Sequence, residues 1–126
     1  MTPRLLRSDD GERIELGQNE AIVRLSGNET DGAFSLVEYT APPDGPAPAL
    51  HIHEETDEVI FVLDGELECA VGGDTATAGA GDTVLIPRGS PHTFEVAGGR
   101  EAWFLLWYSP AGFEGYFEEI GQFLDT

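Results

Sequence analysis

The stretch Gly45-Pro-Ala-Pro-Ala-Leu-His-Ile-His-Glu-Glu-Thr-Asp-Glu-Val-Ile-Phe-Val-Leu-Asp-Gly65 holds two of the three histidines in this 126-residue chain. Ala49-Leu-His-Ile-His53 reads as a β-strand, and a period of two turns the imidazoles of His51 and His53 to one face as a ready pair of metal ligands. Glu58 opens the apolar run Val59-Ile-Phe-Val-Leu63, which sets a carboxylate at the head of the next strand. The third histidine, His92, follows the turn Pro87-Arg-Gly-Ser-Pro91 and begins another run. His51, His53, Glu58 and His92 are thus four side chains of ligand type brought by separate segments to what reads as one barrel. An isolated His-x-His would carry little weight, because a lone histidine is more often a hydrogen-bonded structural residue. Here a carboxylate and a third imidazole accompany the pair. Glu54, Glu55 and Asp57 read as a solvated acidic loop, whereas an inward Glu58 is costly unless a metal or a proton accompanies it.

Glycine and proline set the frame around these residues. Asp64-Gly65 parts two apolar runs and predicts a two-residue hairpin turn, since a primed turn needs positive φ. Pro87 ends the run Asp82-Thr-Val-Leu-Ile86 by removing a ladder donor, and the sharp turn after it can carry His92 back towards the interior. The first segment spaces Gly45, five residues, His51-Ile-His53, four residues, Glu58, six residues, Gly65. The second spaces Gly81, five residues, Pro87-Arg-Gly89, two residues, His92. Together they resemble the two signature motifs of the cupin superfamily over residues 45–96, departing only at Val96, where an Asn is common. The flanks Thr30-Asp-Gly-Ala-Phe-Ser-Leu-Val-Glu38 and Ser109-Pro-Ala-Gly-Phe-Glu114 are similar to the small single-domain quercetin-dioxygenase-like cupins.

The resemblance implies an all-β fold, the cupin double-stranded β-helix or jelly-roll barrel, with His51, His53, Glu58 and His92 around one divalent metal. Fe, Mn, Ni, Co, Cu and Zn all suit three imidazoles and a carboxylate, and no organic cofactor is expected. It also implies a homodimer and a dioxygenase-type reaction in which a small enol or phenol and dioxygen meet at the metal. Glu58 then serves as ligand or as catalytic general base, and burial in an apolar barrel is expected to raise its pKa for the second role. Two alternatives stay open: a metal-dependent isomerase, cyclase or dehydratase of a small carbonyl compound, and a barrel that binds a small ligand without catalysis. Strand alternation selects Phe34, Leu36, Ile60, Val62, Phe94, Val96 and Trp103 as pocket lining, each equally suited to ordinary core. Arg88 reads as a surface turn residue rather than an anion clamp.

Length predicts one domain over residues 1–126, with an N-terminal arm or edge strands in 1–20, the two motifs in 45–96 and a C-terminal helix over 111–124. Turn clusters such as Gly27-Asn28, Gly72-Gly73-Asp74 and Gly98-Gly99 separate short β-branched and aromatic runs, as in a barrel or sandwich. Ala41–Ala49 has four prolines and runs extended into the His51 segment. Glu101-Ala-Trp-Phe-Leu-Leu-Trp-Tyr-Ser109 is apolar at nearly every position and predicts a strand buried between two sheets or at a subunit interface. After Pro110, Phe113, Tyr116, Phe117, Ile120, Phe123 and Leu124 recur at helical spacing, with Gly115 and Gly121 weakening the helix by about 1 kcal/mol each.

Charge excludes some partners. The chain has 24 acidic and 6 basic residues, a formal charge of −18, and every base is Arg. Such a surface repels nucleic acid and anionic membrane. Self-repulsion at this charge suggests a halophilic, salt-adapted source, which stability rising with salt would reveal; a GC-rich genome favouring Arg codons is the plainer account. No apolar run reaches the length of a membrane span and the N-terminus lacks a signal-like apolar region, so the expected location is cytoplasmic. Cys69 is the only cysteine and reads as a small buried hydrophobe.

Overall fold

A computed structural model describes residues 1–45 and 47–125, with side chains up to residue 121. Among the described residues it contains nine strands, β1 (Glu12–Leu16), β2 (Asn19–Leu25), β3 (Ser35–Ala41), β4 (Asp57–Asp64), β5 (Glu66–Val71), β6 (Asp74–Ala78), β7 (Thr83–Ile86), β8 (His92–Ala97) and β9 (Ala102–Ser109). Two helices, α1 (Gly27–Thr30) and α2 (Glu114–Asp125), complete it. The strands form a six-stranded sheet in the order β1-β2-β3-β9-β4-β7 and a three-stranded sheet in the order β6-β5-β8. Every pairing is antiparallel. No helix among the described residues is long and apolar enough to cross a membrane.

The core lies between the sheets. Val37, Ile60, Val62, Phe104 and Leu106 from the larger sheet meet Leu67, Cys69 and Ala78 from the smaller one, and the Phe94 and Phe104 rings cross between them at 5.6 Å. Burial holds the Cys69 thiol up at about 11, so it stays protonated and inert.

Three sequence expectations give way here. Of the two alternatives for the β9 run, burial between two sheets gives way: within the chain Ala102, Phe104, Leu106 and Tyr108 are buried, but Trp103 is 42% exposed and Leu105 and Trp107 are half-buried. With Val59 and Phe61 of β4 and Leu85 of β7, they give the larger sheet an apolar outer face. Gly65 is not a hairpin turn, because β4 and β5 belong to different sheets; it is the corner by which the chain crosses between them, at φ +81°. The same need for positive φ produces both signals, and sequence cannot separate them. Two-residue hairpins lie instead at Gly17-Gln18, where Leu16 pairs with Asn19, and at Gly72-Gly73, where Val71 pairs with Asp74. Finally, Ala49–His53 is not a strand: only an isolated bridge, His51 to His92, joins it to the sheet.

The expected C-terminal helix starts a little later than 111. Phe113, Phe117 and Ile120 pack on the core, while Phe123 and Leu124 lie outside the described side chains. Gly121 has a steric role besides its low helix propensity, since a Cβ there would sit 2.6 Å from Ile14 Cγ2. The helix therefore rides close on β1, the edge strand of the N-terminal segment.

Glu114 fastens the start of α2. It is 7% exposed and accepts hydrogen bonds from the backbone amides of Gly27 and Gly112, both at 2.7 Å. Burial pushes its pKa up, but the amides of Gly27, Glu114 itself and Gly112 outweigh burial and hold it below its ordinary 4.5. A depressed carboxylate pKa stabilises the fold fully above the ordinary value, and that contribution is lost as pH falls through the lower folded one. Glu114→Gln is therefore expected to cost about 1–2 kcal/mol at neutral pH. In melts from about pH 7 to about pH 3, the gap to wild type should close on acidification; a constant gap would disprove the linkage.

Candidate metal centre

His51, His53, Glu58 and His92 converge at one end of the barrel. Their ligand-type atoms all lie within 4.8 Å of one another. Glu58 reaches the site as the second residue of β4, 2% exposed and registered between Ile86 and Tyr108. His92 opens β8 after Pro87 has ended the preceding ladder at Ile86, and it is 1% exposed.

Backbone bonds hold the two histidines that no strand carries. His51 and His92 exchange both backbone hydrogen bonds, at 3.0 and 2.9 Å, and Gly89 donates to the His53 carbonyl at 2.8 Å. The turn that supplies Gly89 is itself anchored, because Arg88 donates from its backbone amide and twice from its guanidinium to Asp57, at 2.9 to 3.1 Å. Arg88 thus ties the turn after β7 to the residue preceding Glu58.

Two carbonyls fix the direction of the imidazoles. His51 Nδ1 lies 2.7 Å from the Ala49 carbonyl and His92 Nδ1 lies 2.9 Å from that of Ser90. A carbonyl only accepts, so both Nδ1 atoms donate and each Nε2 is left for the site. The Nε2 atoms of His53 and His92 lie 3.2 and 3.4 Å from Glu58 Oε1, yet both are buried and make no well-aligned hydrogen bond. Lone pairs facing a carboxylate in a buried site need a cation between them. A single proton satisfies one such contact, whereas one divalent metal satisfies all four groups, and the donor set suits it.

The electrostatics of Glu58 and His51 agree with a ligand role, while at His92 burial lowers the pKa but the Glu58 carboxylate and the Ser90 carbonyl more than reverse it. Burial pushes the Glu58 carboxyl up, but the adjacent imidazoles of His53 and His92 more than reverse this and hold it below its ordinary value. The raised pKa expected from burial is therefore not found: Glu58 is held as an anion, better suited to ligate a cation than to take a proton. Burial lowers the pKa of His51, against the pull of the Ala49 carbonyl, and favours the neutral imidazole that a metal requires.

A cavity of about 590 Å³ opens from this cluster. Its wall is largely apolar, with the rings of Tyr39, Phe94, Tyr108, Phe113, Tyr116 and Phe117 among the contributors and no Lys, Arg or Asp. Of the residues selected by strand alternation, Phe94 lines the cavity. Ile60 and Val62 are fully buried in the core and Val96 packs against it. Phe34, Leu36 and Trp103 lie elsewhere: Phe34 stacks on Trp107 at 6.1 Å, Leu36 pairs with Trp107 on the outer face, and Trp103 Nε1 donates to Glu38 there. Parity misled because β3 buries the polar Ser35 and turns Leu36 outward, and because both faces of β9 are apolar. The missed lining comes from Tyr39 on β3, Leu106 and Tyr108 on β9, the segment before His51, the hairpin between β1 and β2, and Phe113 with α2; for the last of these the aromatic spacing of Phe113, Tyr116, Phe117 and Ile120 is a visible signal.

A protein-family model described as "Cupin domain" matches residues 37–108. Quercetin 2,3-dioxygenase of Bacillus subtilis (strain 168) is 39% identical over 98 residues, which is 78% of this chain and 29% of that protein. The chain thus spans less than a third of the length of that curated relative. Among solved structures, KdgF from Halomonas sp. superposes with a TM-score of 0.77 at 16% identity, covering 90% of this chain and 99% of that one. The polyketide cyclase RemF from Streptomyces resistomycificus superposes with a TM-score of 0.70 at 26% identity, covering 86% and 80%.

Proposed function

The chain belongs to the cupin family, and from that premise we propose that it is a metal-dependent oxidoreductase adding dioxygen to a small, uncharged enol or phenol. The observation that carries this reading is the convergence of three imidazoles and an ionised carboxylate at the end of an apolar cavity. His51, His53, Glu58 and His92 would hold one divalent ion. When bound there, such an ion would supply a Lewis acid, and for a redox-active metal an electron relay, between a deprotonated substrate oxygen and dioxygen. The aromatic wall excludes water and accepts a flat ring, and its lack of cationic groups disfavours phosphorylated substrates. Glu58 acts as anionic ligand rather than as base, given its depressed pKa.

A second reading rests on the likeness to RemF, whose chain is matched over most of its length, as that of the dioxygenase is not. It keeps the metal and the apolar pocket but performs an oxygen-independent cyclisation or isomerisation. One experiment separates the two: elemental analysis of protein purified without chelator or nickel resin, followed by oxygen-electrode assays with a flavonol. About one Fe, Mn, Co, Ni or Cu per chain with oxygen uptake supports the oxygenase. Zinc with no uptake moves the assignment to the second reading, and absence of metal leaves a ligand-binding barrel.

The apolar outer face of the larger sheet supports a homodimer. Phe61→Glu, at its centre, is expected to shift sedimentation from dimer to monomer without loss of metal; an unchanged sedimentation coefficient would place any interface elsewhere.

A further inference from the structure

The far end of the cavity carries a polar pair within the aromatic wall. Asn19, the first residue of β2 and only 3% exposed, donates from Nδ2 to the Tyr39 hydroxyl at 2.9 Å, and both residues line the cavity. Gly45, which opens the first motif, makes room for this arrangement: a Cβ there would collide with Asn19 Oδ1 and crowd Pro42 at 3.0 Å. Because the Tyr39 oxygen accepts from Asn19, its own proton is left to be donated, and the cavity lies beside it.

The strand register gives the separation of this pair from the metal centre. Tyr39 pairs with Phe104, and Glu58 pairs with Tyr108 on the same strand. Four residues at about 3.3 Å per residue offset the two backbones by roughly 13 Å along β9. Between them the Phe117 ring stands 6.0 Å from Tyr39 and 6.4 Å from Tyr108. A small enol alone would leave the Tyr39 end unused.

We infer that Tyr39, oriented by Asn19, is a specificity-determining residue that donates a hydrogen bond to an acceptor oxygen at the distal end of an elongated aromatic substrate. The inference rests on the reading of the metal centre as the site of an enol or phenol. It defines the substrate class as flat, uncharged molecules of two or more linked or fused rings, with a chelating oxygen at one end and a carbonyl, ether or hydroxyl oxygen at the other. A half-buried donor on the cavity wall that loses its partner is what gives such a contact its discrimination.

The test uses two probes of equal size, 3-hydroxy-4′-methoxyflavone and 3-hydroxy-4′-ethylflavone, of which only the first carries a distal acceptor. Equilibrium binding to metal-loaded protein is measured without oxygen, so turnover does not enter. Wild type is expected to favour the ether by about five- to tenfold. Tyr39→Phe is expected to abolish the preference while retaining metal and affinity for the ethyl compound. Equal affinities in wild type overturn the inference without recourse to a variant, as does a preference that survives in Tyr39→Phe or a failure of both probes to bind. Binding with the expected preference but no oxygen uptake in air would remove the oxygenase reading and leave the distal contact standing.

Discussion

Replacing His92 by Ala is expected to reduce bound metal from about one ion per chain to background and to destabilise the barrel by about 3–5 kcal/mol in the same step. Both effects follow from its position. His92 is buried beside Glu58, with its Nδ1 committed to the Ser90 carbonyl and its Nε2 turned to the site. Removing the ring deletes a ligand and also leaves a buried carboxylate with one fewer cationic or polar neighbour. His51 is half-buried and farther from that burden. His51→Ala should therefore lose metal to a similar extent with a much smaller change in melting temperature. Elemental analysis and thermal melts on both variants check this. Retention of metal in either one would refute the four-ligand centre, and equal destabilisation would refute the distinct burden placed on His92.

The second large effect is at Gly65. A methyl group there must adopt φ +81°, collide with the Glu101 carbonyl oxygen and approach Ala102 Cα to 2.8 Å. Both obstacles are backbone, at the start of the central strand β9, and neither can swing aside. Gly65→Ala is expected to cost about 3 kcal/mol or more. Gly81 supplies the control, with φ +88° and open space for 4 Å around the position a Cβ would take. Gly81→Ala should cost only the left-handed backbone term, about 1–2 kcal/mol. Denaturant midpoints decide between them, and equal shifts would mean that the close approach at the corner contributes nothing.

The four converging side chains were legible because ligand chemistry restricts residue type and the turns restrict spacing. His51, His53, Glu58 and His92 are the residues the fold brings together. The pocket was much less legible. Its wall depends on which face of a strand turns inward, and on β9 both faces are apolar, so alternation holds no signal. Asn19 and Tyr39 were invisible for a different reason. Their meeting depends on the β2–β3 and β3–β9 pairings, and no local pattern encodes long-range register. The corner at Gly65 shows the same limit: a glycine announces positive φ without saying which strands it separates.

The segment bearing His51 and His53 is fastened at the backbone by two bonds to His92 and one from Gly89, and it belongs to neither sheet. Breaking those few bonds requires no strand to leave its ladder. Entry or loss of an ion at the proposed centre would then need only a local opening, a smaller event than unfolding the barrel. An ion held at the proposed centre would exchange faster than the barrel unfolds, yet by neutralising the buried Glu58 it would still add to the stability of the fold. A chelator would then empty the site without unfolding the barrel outright, leaving it folded but less stable.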